Sequence, residues 1–353
     1  VNTEAKNVGI SILWLFASMI PVITFLASCA TLVILGMGGR FVINGQMTLG
    51  ELAAFNSYLS LLIFPIFIIG FMSNAIGRAS ASYARVSETL LAPVVIPTGT
   101  DAGAIRGDID LQDVTLEYGE KTVLKHLSFS IKAKTKTAIV GPTAAGKTQL
   151  LQLMTGLLTP TSGHITYDGK PIENYEKNRF HAQVGFVFQD SVIFNLSLRE
   201  NIAFSATAKG EALDKAIQTA ELNDFIHELP EGLETRVSER GVSLSGGQKQ
   251  RLMLARALTL NPSVLFLDDF TARVDTRTES RILENIEKNY PNLTLISITQ
   301  KIAPIENYDK IILLMEGEIL ANGTHDELMH SSPEYVQIAN SQRSTDEYES
   351  TQQ

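Results

Sequence analysis

The apolar positions of this chain follow two different patterns. From Asn7 to Gly39 no charged residue interrupts the sequence, and the core Ile10 to Met37 exceeds the roughly 20 residues a helix needs to cross a bilayer. A second uncharged run extends from Leu52 to Gly77. These runs predict two transmembrane helices, at about 8–37 and 52–77. Pro21 and Pro65 inside them are tolerated where neighbouring helices or local adjustment satisfy the freed carbonyls. Two buried helices of a soluble protein are the alternative, but such helices rarely run so long without a charge. Gly38 to Gly50, with Gly38-Gly39 and Asn44-Gly45, is read as a short turn-rich connection. Arg78 and Arg85 follow the second run and favour a cytoplasmic location for what comes after, although Arg40 in the connection tempers the bias. Residues 78 to 91 extend the second helix, and Pro93, Pro97, Gly99 and Gly103 mark a linker.

Beyond the linker the period changes. Ile109, Leu111, Val114 and Leu116 stand at strand-like spacing, and Val123 to Ile131 gives a second strand-rich stretch. Apolar runs at Val184 to Phe188, Val264 to Leu267, Leu293 to Ile298 and Ile311 to Met315 then alternate with helical stretches. That order predicts α/β architecture with a largely parallel central sheet. No internal repeat is visible, and the polar tail from Ser341 to Gln353 is expected to be mobile.

Composition sharpens this division. Hydrophobic residues make up 44% of 353, with the excess in the first quarter. A net charge of -9 and no basic stripe exclude a nucleic-acid groove. The single cysteine, Cys29, rules out an intrachain disulfide. The sequence opens on Val1 without a recognisable signal peptide, so the expectation is a fragment whose start is missing.

The chemistry concentrates at Gly141-Pro142-Thr143-Ala144-Ala145-Gly146-Lys147-Thr148, which fits the phosphate-loop pattern G-x-x-x-x-G-K-[ST]. Ala138 to Val140 before it and Gln149 to Met154 after it supply a strand and an apolar-faced helix. A strand, a glycine-bearing turn and a helix start aim unpaired backbone N–H groups at one spot, where a polyphosphate accepts them. Lys147 adds a point charge at the β/γ-phosphates. The Thr148 hydroxyl is a ligand for Mg²⁺, a hard ion that takes oxygen donors. Farther on, Leu244-Ser245-Gly246-Gly247-Gln248 precedes a helical stretch, Lys249 to Leu260, and forms a second potential anion site. Val264 to Asp269 reads as a buried strand ending in two carboxylates, of which Asp268 can hold Mg²⁺ through water.

Together these ordered motifs resemble the ATP-binding cassette (ABC) exporter family over nearly all of Ile105 to Ser341. The resemblance implies a P-loop nucleotide-binding domain of the ABC ATPase type at 107–340. It also implies a partial transmembrane domain at 1–92 holding the last two of six helices, a linker at 93–106 and a tail at 341–353. ATP and Mg²⁺ are the implied cofactors. Tyr118 stands where the family stacks an aromatic residue on adenine, and Gln189 matches the glutamine that touches Mg²⁺ and relays to the membrane domain. Ser238-Glu239-Arg240-Gly241 resembles the segment contacting the intracellular loops, and Ala272 to Asp275 the segment linking two nucleotide sites. Such cassettes dimerise head to tail, so Ser245, Gly246, Gly247 and Gln248 would serve the partner's nucleotide.

Two positions depart from the family pattern. Glu usually follows the strand-end aspartate, and here the residue is Asp269. Its carboxylate is one methylene shorter, a shortfall of roughly 1 Å that costs on the order of 100-fold when it misplaces a reacting group. The switch position usually holds His, and here Gln300 offers an amide without a titratable charge. Asp269, Gln300 and Gln189 are thus the catalytic candidates in a site expected to bind ATP and turn it over slowly. The pattern resembles the degenerate-site subunit of bacterial heterodimeric multidrug exporters. Its expected setting is the plasma membrane as a multi-pass protein with a cytoplasmic ATPase domain, beside a second half-transporter, lipid and an exported solute. An active homodimeric exporter and an ATP-gated protein that does not transport are the alternatives. A soluble cassette ATPase acting on DNA is disfavoured by the apolar runs and by the lack of a long coiled-coil insertion.

Overall fold

The computed structural model describes residues 2–92, 99–190, 192–204, 210–237 and 244–351. The chain divides into two units, Val1–Val95 and Ile96–Gln353. Pro93, Pro97 and the segment 238–241 lie outside the described residues, as do the side chains of Ala272 and Phe67.

The first unit holds two helices, Asn2–Ile43 and Leu49–Leu90, of 42 residues each. At 1.5 Å per residue each is about 60 Å long, beyond the thickness of a bilayer. The turn between them is shorter than the glycines suggest, because Gly38 and Gly39 stay inside the first helix. The chain reverses at Asn44-Gly45, where Gly45 takes φ +68°. Gly38 instead gives the Leu52 side chain room against the first helix. Thr48 caps the second helix: its Oγ1 accepts from the Glu51 amide at 3.2 Å while Glu51 accepts from the Thr48 amide at 2.7 Å. Among the described residues one stretch, Ala17–Ile43, is long and apolar enough to cross a membrane. Phe55, Tyr58 and Phe64 of the second helix are exposed.

Among its described residues the second unit contains ten strands: β1 Ile109–Tyr118, β2 Lys121–Ile131, β3 Lys136–Val140, β4 Ser162–Tyr167, β5 Lys170–Pro171, β6 Val184–Val187, β7 Val264–Asp268, β8 Thr294–Thr299, β9 Lys310–Met315 and β10 Glu318–Gly323. They form an antiparallel sheet, β2-β1-β4-β5, and a six-stranded sheet, β10-β9-β3-β8-β7-β6, parallel except for β10. The parallel sheet is covered on both faces, as its unbroken apolar strands require. Ile139, Phe266, Ile296 and Ile312 face the antiparallel sheet, while Ala138, Leu265, Leu295 and Leu313 face a layer of helices. The helix Lys147–Met154 lies on the antiparallel-sheet side, and its Leu150, Leu151, Leu153 and Met154 are all buried there. Residues 101 and 105, in the stretch read as a linker, are held on this unit: Asp101 bridges Tyr175, and the Ile105 amide donates to Gln183 Oε1 at 2.7 Å.

One expectation needs correction: the helix after Ser245 starts at Gly246, not Lys249, since Ser245 is itself the cap. Pro333–Thr351 forms one helix, and at the start of the polar tail Gln342 and Arg343 bond to Gln300, Ile302 and Glu306.

Tyr167 ties the two sheets to the phosphate-loop helix, its buried hydroxyl donating to the Met154 carbonyl at 2.6 Å. Tyr167→Phe is expected to cost about 1–2 kcal/mol, because it leaves that carbonyl without its donor. Urea unfolding followed by circular dichroism measures the loss.

Candidate functional site

The parallel strands bring four motifs to one edge. Val140 pairs with Thr299, Asp268 with Ile298, and Val187 with Leu267, so the residues just beyond each strand's carboxyl end are neighbours. That edge is where open α/β sheets bind ligands. There Gly141–Thr148, Gln189, Asp268-Asp269 and Gln300 leave the sheet.

The phosphate loop is shaped by close backbone approaches. Gly141 passes the Leu314 carbonyl with no room for a side chain. Gly146, at φ +97°, would drive a Cβ to 2.6 Å from Leu124 Cδ2. Ala144 is also left-handed, at φ +66°. The loop is latched from behind, where the Gly317 amide donates to the Ala145 carbonyl at 3.2 Å and the Lys125 amide to the Gly317 carbonyl at 2.8 Å. Lys147 reaches back across the loop and donates to the carbonyls of Gly141 and Pro142 at 2.7 and 2.8 Å. A phosphate oxygen competes well for that ammonium, since a charged acceptor binds it more strongly than a carbonyl does.

Thr148 Oγ1 lies 3.5 Å from Asp268 Oδ2, placing two hard oxygen donors side by side. Asp268 is only 4% exposed, and its carboxyl is pushed up to about 6, first by burial and then by Asp269, against the pull of the Thr148 hydroxyl and Lys147. Burial lowers Lys147 in turn, while Asp269 and Asp268 hold it up. A buried carboxylate crowded by a second one suits a divalent cation, and Thr148 and Asp268 are the residues that would hold Mg²⁺. Asp269 occupies the left-handed region at φ +48°, and its amide donates to the Ile298 carbonyl at 2.8 Å. Gln300 lies across the loop, its Oε1 accepting from Thr143 Oγ1 at 3.4 Å.

Gln189 is exposed just after β6. Its carbonyl accepts from the buried Gln250 Nε2 at 2.9 Å, a support that no motif announces. Gln342 was likewise invisible in sequence. It grips the switch segment with both amide atoms, donating to the Gln300 carbonyl at 2.7 Å and accepting from the Ile302 amide at 2.9 Å. Tyr118 is 52% exposed at the end of the β1–β2 hairpin, whose Val123 and Leu124 back Gly146. An exposed ring there is free to stack. Gln149 opens the phosphate-loop helix beside Lys147 and Thr148.

The second anion motif stands apart. Ser245 Oγ accepts from the Gln248 amide at 3.2 Å, and Gln248 Oε1 from the Ser245 amide at 2.8 Å. Gly246 and Gly247 pack on Arg273, where a Cβ on Gly247 would meet the Arg273 carbonyl at 2.9 Å. Among the described residues no hydrogen bond or ion pair joins Ser245–Gln248 to Gly141–Thr148. Asp275, at the far end of that turn, caps the helix Thr276–Asn289 by accepting from the Thr278 amide at 2.9 Å, which holds its carboxyl below the ordinary range.

Comparison with known proteins agrees with this geometry. Residues 124–272 match the ABC transporter family. The chain is 36% identical over 323 residues to the "Probable multidrug resistance ABC transporter ATP-binding/permease protein YheI" of Bacillus subtilis, covering 89% of this chain and 55% of that protein. It is 32% identical to the ATP-dependent lipid A-core flippase of Desulfotalea psychrophila, over 91% of this chain and 57% of the relative. A solved structure, that of a bacterial Atm1-family ABC exporter with ATP bound, superposes with TM-score 0.69 at 32% identity, over 87% of this chain and 55% of that one. The chain thus spans little more than half the length of these relatives.

Because Asp268 would hold the cation only when ionised, Mg²⁺-dependent ATP affinity, taken relative to Asp268→Asn so that the titration of ATP itself cancels, is expected to fall about tenfold per pH unit below about 6. ATP titrations of the chain with and without Mg²⁺ between pH 5 and 8 test this. Asp268→Asn should abolish both the Mg²⁺ dependence and its pH slope.

Proposed function

Because its second unit is an ABC transporter ATPase domain, we propose that this chain is part of an exporter in which ATP drives a solute across a membrane, and that its own ATP site binds more than it hydrolyses. The names of its relatives, a multidrug resistance transporter and a lipid flippase, support the export reading. The observation that carries the second half is the pairing of Asp269 with Gln300 around an intact phosphate loop.

Binding follows from the residues present. Lys147 exchanges the carbonyls of Gly141 and Pro142 for phosphate oxygens, and the amides of the loop donate to the rest of the polyphosphate. Tyr118 stacks on the base. Thr148 and Asp268, with Gln189 at the end of the neighbouring strand, would hold Mg²⁺, which when bound would supply charge neutralisation at the phosphates. Hydrolysis needs a group that positions water in line with the γ-phosphate. The Asp269 carboxylate is short for this role, and its αL backbone, tied to Ile298, restricts its advance. Gln300 donates a hydrogen bond to phosphate but carries no charge to balance the transition state.

In this proposal the second cassette of a dimer, most simply a different half-transporter, completes the assembly. Among the described residues the capping box at Ser245 leaves the amides of Gly246 and Gly247 without a hydrogen bond at a helix start, where they can donate to a partner's phosphate. ATP holds the cassettes together, and release after turnover at the partner's site lets them part, a population shift driven by unequal nucleotide affinity. The first unit lies in the plasma membrane with both long helices crossing it, and the ATPase domain is cytoplasmic.

Asp269→Glu with Gln300→His is expected to raise turnover at this chain's own site by at least tenfold, measured as phosphate release with the partner's catalytic base removed. Unchanged release would count against the slow-site reading. Ser245→Arg should instead suppress turnover at the partner's site while leaving nucleotide binding by this chain's phosphate loop intact. Steady-state ATPase unaffected by that change would refute the cross-chain assignment.

A further inference from the structure

Behind Asp269 and Gln300 lies a narrow cavity of about 10 Å³, lined by Leu267, Phe270, Glu279, Ser297, Thr299 and Tyr308 among others. Its walls include the immediate neighbours of the site: Phe270 follows Asp269, and Thr299 precedes Gln300. Glu279, on the helix capped by Asp275, is 2% exposed, and its Oε1 has no hydrogen-bond partner. Across the cavity Ser297 Oγ and Tyr308 Oη share a hydrogen bond of 2.9 Å. A volume near 10 Å³ is about enough for one water, and three polar side chains around it give such a water its partners. Glu279, Leu283 and Tyr308 also line an open cleft of about 370 Å³ on the outer side, so protons reach the carboxyl from solvent.

A carboxylate enclosed by Leu267, Phe270, Leu283 and Ile298 is costly, whereas a neutral acid donates a hydrogen bond and accepts another. We propose that Glu279 is a positioning residue: as a neutral acid it joins, through one buried water, the helix after Asp275 to the Ser297–Tyr308 pair, and so sets where Asp269 and Gln300 stand toward the terminal phosphate. When Glu279 ionises, the narrow cavity no longer suits it and the join loosens. Burial raises its carboxyl to about 7, opposed by Lys301, the nearest cation. The other charged or titratable groups facing it are Tyr308 in the cavity and Lys136, Glu284 and Glu287 in the cleft, with Lys136 and Glu287 paired at 3.1 Å. The folded value lies above the ordinary 4.5, so the neutral form and its join persist below about pH 7 and are lost as pH rises through it.

The inference rests on the reading that Asp269 and Gln300 face the γ-phosphate, and its readout is the preference of the full chain for ATP over ADP, which isolates that phosphate. ATP and ADP affinities are measured at pH 6 and pH 8 for the wild type, Glu279→Gln and Glu279→Ala. The wild-type preference should drop about threefold or more from pH 6 to pH 8, relative to the Gln variant, within the range of coupling carried by residues that touch neither ligand. Glu279→Gln, neutral at both values, should keep the pH 6 preference throughout, and Glu279→Ala should be low at both. Because ATP itself titrates in this window, the Gln variant is the reference. A purely structural Glu279 would alter melting temperature and leave the preference alone. Identical pH profiles for the wild type and Glu279→Gln, or a full preference in Glu279→Ala, would overturn the role of Glu279. A wild type with no preference at either pH would overturn both this inference and the site reading beneath it.

Discussion

The second unit depends on three backbones meeting where side chains do not fit. Gly146 lies against Leu124, Gly141 against the Leu314 carbonyl, and Gly317 bonds at once to Ala145 and Lys125. The phosphate loop is thereby wedged between the antiparallel hairpin and the end of β9. A side chain at Gly141 would collide with the end of β9 and one at Gly146 with the hairpin, and the left-handed turn at Gly146 would strain any other residue. The anion cradle and the packing of the two sheets are one feature: the loop keeps its amides turned outward because its other side is fully occupied.

Charge at the site is balanced by design only when ligand and cation are present. Asp268 and Asp269 crowd one desolvated corner, and Lys147, the nearest cation, is spent on two carbonyls. Phosphate would free that lysine, and Mg²⁺ would settle the carboxylates, so each would make the other's binding more favourable. The residues that would convert binding into turnover are the ones that differ from the family pattern. The Gln300 backbone is held by Gln342, and its side chain bonds to Thr143 across the loop.

Part of the fold was legible early because it is periodic. Continuous apolar runs named the parallel strands, and their ends carried the phosphate loop and the acid pair. The separate antiparallel sheet was harder to see, since Ile109 to Ile131 reads as strand without saying which strands it joins, and Ser162 to Pro171 has no long apolar run to mark it. The bonds at the start of the tail were hidden for the same reason: Gln342 and Arg343 look like solvated residues until the switch segment is brought beside them.

What the amino-acid order determined by itself was local: a phosphate loop between strand and helix, a serine-glycine cap, two carboxylates at a strand end, and a glutamine where imidazole is usual. Spacing along the backbone is enough for such features, because hydrogen bonding and side-chain direction within one element depend on near neighbours. Only the tertiary structure decided that Thr143 meets Gln300, that Gln250 holds the carbonyl of Gln189, and that Glu279 sits buried behind the acid pair. Those contacts join residues far apart in the chain. They exist because the sheet order and the packing of its two faces carry them together, which no local pattern encodes.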